Sequence, residues 1–210
     1  CNISLAELNI CTIHSFCQQL LSRYGLLIDL APGFSINRND ELDRMIESAF
    51  QSILKKYQSD PPEWLLVILS QWSQQQCIRV MKDCIYQRTI VEHWIQHPQD
   101  VPDIESLSTV DQLTTEAASE LLLHVGRCFT ELMNELNEEK QQSHRLDYDD
   151  LLTGACELLE NVDWLRYQCQ SQYHHIFVDE FQDTSPLQWK IIQLLCHDDD
   201  CFSTSKLCIV

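Results

Sequence analysis

Apolar residues recur along the chain with two different periods, and the change from one to the other marks its parts. From Asp40 onward, Leu42, Ile46, Ala49, Phe50, Ile53, Leu54 and Tyr57 fall three or four positions apart, the spacing of one helix face, and Asp60-Pro61-Pro62 ends the run. The same spacing predicts a helix from Glu63 to about Gln75 and another from about Ile78 to His97. After a loop over Pro98 to Asp103, one long helix is predicted from Val110 to about Gln142. Its apolar face is Leu113, Ala117, Leu121, Val125, Phe129, Leu132 and Leu136, with Gly126 as a point of bending.

On either side of this helical block, short β-prone runs take over. Asn9 to Ile13 reads as a strand, and Ser15 with Gln18 as a capping box opening a helix through Phe16, Leu20, Leu21 and Tyr24 that stops at Gly25. Leu26 to Asn39, with Pro32-Gly33, reads as a connecting loop. Leu146 to Leu152 starts another helix with acids in its first turn, and a short helix near Asp163 to Gln170 leads into Ile176-Phe177-Val178, a buried parallel strand. In Ser185-Pro186-Leu187-Gln188, Ser185 suits an N-cap, Pro186 the first helical position, and Gln188 can close a capping box. That predicts a helix from Pro186 to about Cys196, followed by the acidic run Asp198 to Asp200 and a last strand over Lys206 to Val210. Strands separated by helical crossovers imply a parallel sheet, so the expected fold class is α/β with a large all-helical block inserted.

Composition narrows the function. The chain has 210 residues with 44% hydrophobic content, 4 Gly and 6 Pro, which points to a folded, helix-rich protein. Its formal net charge of −18 excludes a chain that grips nucleic acid through a broad basic face of its own; Lys55, Lys56, Arg79, Lys82 and Arg88 are the main basic concentration. The 11 cysteines are scattered through apolar periodic segments, as expected of buried free thiols in a reducing compartment. Cys11, His14 and Cys17 have no second paired half and are not read as zinc ligands. With no leader and no apolar run long enough to cross a bilayer, a cytoplasmic protein without membrane contact is expected. The opening at Cys1 and the final strand suggest a fragment truncated at both ends.

Candidate chemistry concentrates in Ile176 to Thr184, where a strand delivers Asp179 and Glu180 to its C-terminal end, the edge at which open α/β sheets bind ligands. Such a pair has the form of a Walker B element, one acid near a phosphate-bound magnesium and the other beside the attacking water. Alone, an Asp-Glu pair reads more simply as an acidic turn. The longer string changes that reading. Val178-Asp179-Glu180-Phe181-Gln182-Asp183-Thr184 resembles the second motif of superfamily 1 DNA helicases of the UvrD, RecB and AddA type. Thr12-Ile13-His14-Ser15-Phe16-Cys17 is similar to that family's single-strand-contacting motif, and Leu146-Asp147-Tyr148-Asp149-Asp150-Leu151-Leu152 to the segment before its Walker B strand. Asp29 to Phe34 resembles the AddA subgroup.

The resemblance implies a partial P-loop NTPase (RecA-like) parallel sheet. Residues 1–39 would be the first part of a motor domain, 40–143 a helical insertion subdomain, and 144–210 the Walker B part. It implies ATP and Mg²⁺ as cofactors, with Asp179 on the metal, Glu180 activating the hydrolytic water, and Gln182 and Asp183 coupling the nucleotide site to its neighbours. Thr12, His14, Ser15 and Phe16 would contact DNA, Phe16 either by stacking on a base or as part of an apolar helix face. The implied activity is 3′ to 5′ unwinding by a repair or recombination helicase-nuclease, with single-stranded and duplex DNA and a nuclease subunit as partners. The family's Gly-x-Gly-Lys-Thr phosphate loop is not in this sequence, whose glycines are Gly25, Gly33, Gly126 and Gly154, so the chain alone is expected not to hydrolyse ATP. The rival expectation is a non-catalytic helical interaction module derived from such a motor.

Overall fold

The computed structural model describes residues 9–97, 115–198, 201–202 and 207–209. The predicted loop over Pro98 to Asp103, the start of the long helix at Val110 with Leu113, and Asp199 and Asp200 of the acidic run lie outside the described residues. The chain forms two compact units, Cys1–Asn37 with His144–Val210, and Arg38–Ser143.

The first unit begins with α1 (Ile13–Tyr24), and here the structure departs from the expected strand over Asn9 to Ile13. Thr12 takes the N-cap: its Oγ1 accepts the Ser15 backbone N–H at 3.1 Å, satisfying a donor that the helix start would otherwise leave free. That bond starts the helix before Ser15 can cap it. A 3₁₀ turn, Gly25–Ile28, follows α1 and ends at Asp29 in the left-handed region (φ 59°). The expected loop also holds a two-residue strand, β1 (Ser35–Ile36).

The second unit is helical: α2 (Asn39–Lys56), α3 (Glu63–Gln71), α4 (Gln74–Tyr86), α5 (Arg88–Gln96) and α6 (Thr115–Ser143). The helix expected to reach Gln75 ends at Gln71 because Trp72 is extended (φ −130°, ψ 145°), and Ser73 and Gln76 then form a capping box that opens α4. The single helix expected over Ile78 to His97 is split at Gln87 (φ −113°, ψ 28°). Ile46, Phe50 and Ile53 of α2, Ile68 of α3, Met81 of α4, and Leu132 and Leu136 of α6 are buried in one core. Gly126, the expected bend, gives α5 its seat on α6, since a Cβ there would lie 3.3 Å from Ile95 Cγ1.

The chain then completes the first unit with β2 (Arg145–Leu146), α7 (Tyr148–Asn161), α8 (Asp163–Gln172), β3 (Ile176–Val178), α9 (Pro186–Cys196), β4 (His197–Asp198), β5 (Cys201–Phe202) and β6 (Leu207–Ile209). β1 pairs in parallel with β2, and β3 in parallel with β6, while β4 and β5 form an antiparallel hairpin. The described fold is thus mostly helical with small parallel sheets.

Leu20 and Leu21 of α1, Leu151, Leu158 and Leu159 of α7, Leu165 of α8 and Ile191 of α9 share a core, each such side chain contributing about 1.5–3 kcal/mol on burial. α1 and α7 lie side by side in the same direction: the His14 and Tyr148 rings meet at their starts, and further along a Cβ on Gly154 would lie 3.3 Å from Leu21 Cδ2. Burial pushes the Cys17 and Cys128 thiols up to about 12, which keeps them protonated and inert. Among the described residues no helix is long and apolar enough to cross a membrane.

Candidate functional site

The acidic turn is built on β3, whose register with β6 pairs Ile176 with Leu207, Phe177 with Cys208 and Val178 with Ile209. Strand alternation sends Val178 inward against Ile192 and Cys196 of α9. Phe177, on the opposite face, is 72% exposed, so the strand expected to be buried is covered on one face by the described residues.

Asp179 leaves the strand and Glu180 turns into the left-handed region at φ 50°, ψ 46°, a conformation that costs a non-glycine residue about 1–2 kcal/mol. Local bonds hold it there. The Glu180 N–H donates to Asp179 Oδ1 at 3.0 Å, and Gln182 Nε2 donates to Glu180 Oε2. The Asp183 N–H donates to the Glu180 carbonyl at 2.9 Å, closing a 3₁₀ turn over Phe181–Asp183. Phe181 packs edge-on to Trp189 of α9, ring centroids 5.3 Å apart, which ties the turn to the helix after it. Both Asp179 and Glu180 are exposed, and among the described residues neither carboxylate has a cationic partner.

These residues suit magnesium in one specific mode. The described residues contain no group of three or more His, Cys, Asp or Glu able to hold a metal alone. Magnesium instead takes one or two carboxylates and completes its shell with phosphate oxygens and water. Asp179 meets that need, with one oxygen in the turn and the other outside it.

The start of α1 holds the second set. Thr12 Oγ1 and Ser15 Oγ are hydrogen-bonded at 2.9 Å, and the His14 ring meets Tyr148 at 5.2 Å and 78°. Phe16 goes elsewhere: its ring packs edge-on to Tyr173 at 5.9 Å, against the core shared by α1 and α7. Thr12, His14 and Ser15 are therefore together, and Phe16 supports the helix from beneath. Ile13 links the two sets, because it packs against the buried cluster of Val178, Ile192 and Cys196, on which Phe181 of the acidic turn also rests. Neither Ile13 nor Tyr148 was singled out from sequence, although both lie inside the motif stretches.

The chain matches the family described as UvrD/REP helicase N-terminal domain over residues 2–210. It belongs to that family. It is 26% identical over 198 residues to the ATP-dependent DNA helicase SRS2 of Saccharomyces cerevisiae, covering 91% of this chain and 15% of that protein. It is 25% identical over 162 residues to the RecBCD enzyme subunit RecB of Escherichia coli, covering 75% of this chain and 14% of that subunit. A probable DNA helicase II homolog of Mycoplasma genitalium is 42% identical over 69 residues, 31% of this chain and 10% of that protein. The resemblance carried by the three motif stretches thus holds at the level of the family, and the chain spans a small part of each relative.

Proposed function

We propose that this chain is part of the first motor domain of an ATP-dependent DNA helicase acting in repair or recombination in the cytoplasm, with the 3′ to 5′ polarity its family resemblance implies. The observation that carries the reading is the turn after β3: two exposed carboxylates without a cation, at the C-terminal end of a parallel strand, in a chain matched throughout to a helicase family. On this reading residues 1–39 and 144–210 belong to a RecA-like sheet, and 40–143 are an inserted helical subdomain. The two compact units support that division.

Asp179 is the residue that would hold Mg²⁺, and the ion, when bound with ATP, supplies positive charge against the phosphate oxygens. Glu180 would accept the proton of the attacking water through the carboxylate oxygen that Gln182 leaves unbonded. Gln182 and Asp183, locked into the same turn, would carry changes at that carboxylate to neighbouring elements. Thr12, His14 and Ser15 would contact the backbone of single-stranded DNA, and Ile13 gives that contact a packed route to the acidic turn. The likeness to RecB, a subunit of the RecBCD enzyme, supports action as a subunit of a larger enzyme; a helicase-nuclease assembly with single-stranded and duplex DNA as substrates is what the family resemblance implies.

The test is Glu180→Gln in the full-length protein, with DNA-stimulated ATP turnover and nucleotide affinity measured side by side. Turnover is expected to fall by about 100-fold or more while affinity stays near wild type. Turnover equal to that of an active wild type would remove Glu180 as the base, whereas a wild-type protein without DNA-stimulated turnover would leave the non-catalytic interaction module as the better reading.

A further inference from the structure

The acidic turn is closed on itself. Among the described residues, Glu180 to Asp183 hydrogen-bond only with one another and with Asp179 and Thr184. These bonds hold Glu180 in its left-handed conformation, but none of them fixes the turn against the helices around it. The apolar tie is made by Phe181. Its ring rests on the buried cluster of Val178, Ile192 and Cys196 and meets the Trp189 ring edge-on, with centroids 5.3 Å apart and planes at 82°. Trp189 is itself firmly placed. Its N–H donates to the Ser185 carbonyl at 2.9 Å in the first turn of α9, directly behind the capping box of Ser185 and Gln188, and Ile192, three residues on, carries the same helix face into the core. A ring carried on a packed helix is a more exact stop than one carried on a loop.

We infer that Trp189 is a positioning residue for Glu180: its ring, through Phe181, sets the direction in which the turn presents the Glu180 carboxylate. This rests on the reading of Glu180 as the base. The chain of parts is short. Phe181 is the covalent neighbour of Glu180, and with Glu180 held at φ 50°, ψ 46°, a rotation of Phe181 off its seat swings the carboxylate with it. A general base works only within hydrogen-bond reach of the proton it takes, and a displacement of about 1 Å is enough to cost on the order of 100-fold. Gln182 cannot supply the same control, because it is bonded to Glu180 inside the turn and moves with it. Asp179 directly follows β3, where the register with β6 holds the backbone, so loss of the Trp189 ring should reach turnover and spare nucleotide affinity.

The experiment measures kcat and KM for DNA-stimulated ATP turnover by the full-length protein, with the melting temperature recorded alongside. Trp189→Leu, which keeps apolar volume and removes the ring, is expected to lower kcat about tenfold with KM unchanged, and Trp189→Phe, which restores a ring at the contact, to recover most of the loss. The deciding comparison is the double variant. In a Glu180→Gln background, Trp189→Leu is expected to lower turnover no further, because the group it positions is gone. An equal loss in both backgrounds would overturn the inference, since Trp189 would then act through the fold at large. If Glu180→Gln loses turnover and Trp189→Leu keeps it, the positioning role fails while Glu180 stands as the base. If Glu180→Gln keeps wild-type turnover, the base reading fails first and the positioning role with it. Should Trp189→Leu not fold, Phe181→Leu removes the same contact from its other side and carries the same expected losses.

Discussion

Asp179 holds the backbone that presents Glu180: the Glu180 N–H donates to Asp179 Oδ1 at 3.0 Å, across a residue pair whose second member is left-handed. This separates two jobs of one carboxylate. Asp179→Asn keeps an oxygen that can accept the Glu180 N–H and removes the charge a magnesium ion needs. We expect the turn to survive and the Mg²⁺-dependent gain in ATP affinity to fall by at least the order of tenfold that loss of even an outer-shell partner costs. Asp179→Ala should lose the same gain and also destabilise the turn. Calorimetric titration of the full-length protein with ATP, with and without Mg²⁺, checks both; an unchanged magnesium dependence in the Asn variant would reject Asp179 as a ligand.

A second expectation concerns how the turn is handed to the core. Ser185 Oγ accepts the Gln188 N–H at 3.3 Å, and the Ser185 N–H donates to Gln188 Oε1 at 3.0 Å, so two free donors at the start of α9 satisfy each other's residues. α9 carries Ile191, Ile192, Leu195 and Cys196 into the core, two of them, Ile192 and Cys196, against Val178. Ser185→Ala should cost about 1 kcal/mol, and Ser185→Asp, which restores an acceptor, much less. Urea unfolding of the chain reads the difference, and an alanine variant as stable as wild type would show that the box carries no load.

What could be read from sequence divides by the distance over which each feature is decided. The box at Ser185 and Gln188 and the helix from Pro186 to Cys196 were legible because cap, proline and apolar face lie within a few residues. α2 was legible because its apolar positions repeat over several turns. β1 and β2 were not, since two residues each carry no period and their pairing joins Ser35 to Arg145 across the whole helical unit. At Asn9 to Ile13, β propensity hid the Thr12 cap, and one side-chain bond to Ser15 decided the outcome. The acidic turn stood out because its residues are covalent neighbours. The His14–Tyr148 contact and the packing of Ile13 against Val178, Ile192 and Cys196 come from the tertiary fold, which places Phe16 inward and leaves Tyr148 open.

The last expectation is a pH dependence in the helical unit. Lys56 Nζ at the end of α2 lies 2.7 Å from Glu131 Oε1 and 3.3 Å from Glu135 Oε1 on α6, and the Tyr57 hydroxyl donates to Glu131 Oε1 at 2.9 Å. The Lys56 hydrogen bond, against the opposing effect of burial and with help from Tyr57, holds the Glu131 carboxyl below the usual carboxylate range. Bonds to Glu131 and then Glu135 raise Lys56, and the bond to Glu131 raises Tyr57. Glu131 has a lower value folded than unfolded, so its contribution is complete above about pH 4.3 and is lost as pH falls through the depressed folded value. Lys56 has a higher value folded, so its contribution is complete below about pH 10.4 and is lost as pH rises through the raised one. Glu131→Gln removes the charge and keeps an acceptor for both donors. The melting temperature of wild type should therefore exceed that of the variant most near neutral pH, and the gap should close as pH falls below the ordinary carboxylate range and through the depressed folded value, where wild-type Glu131 takes up its proton. Lys56 is half exposed, so the gap should be small and shrink with added salt. A gap that stayed constant through the acid range would mean that the methylene packing of Glu131, and not its charge, joins α2 to α6.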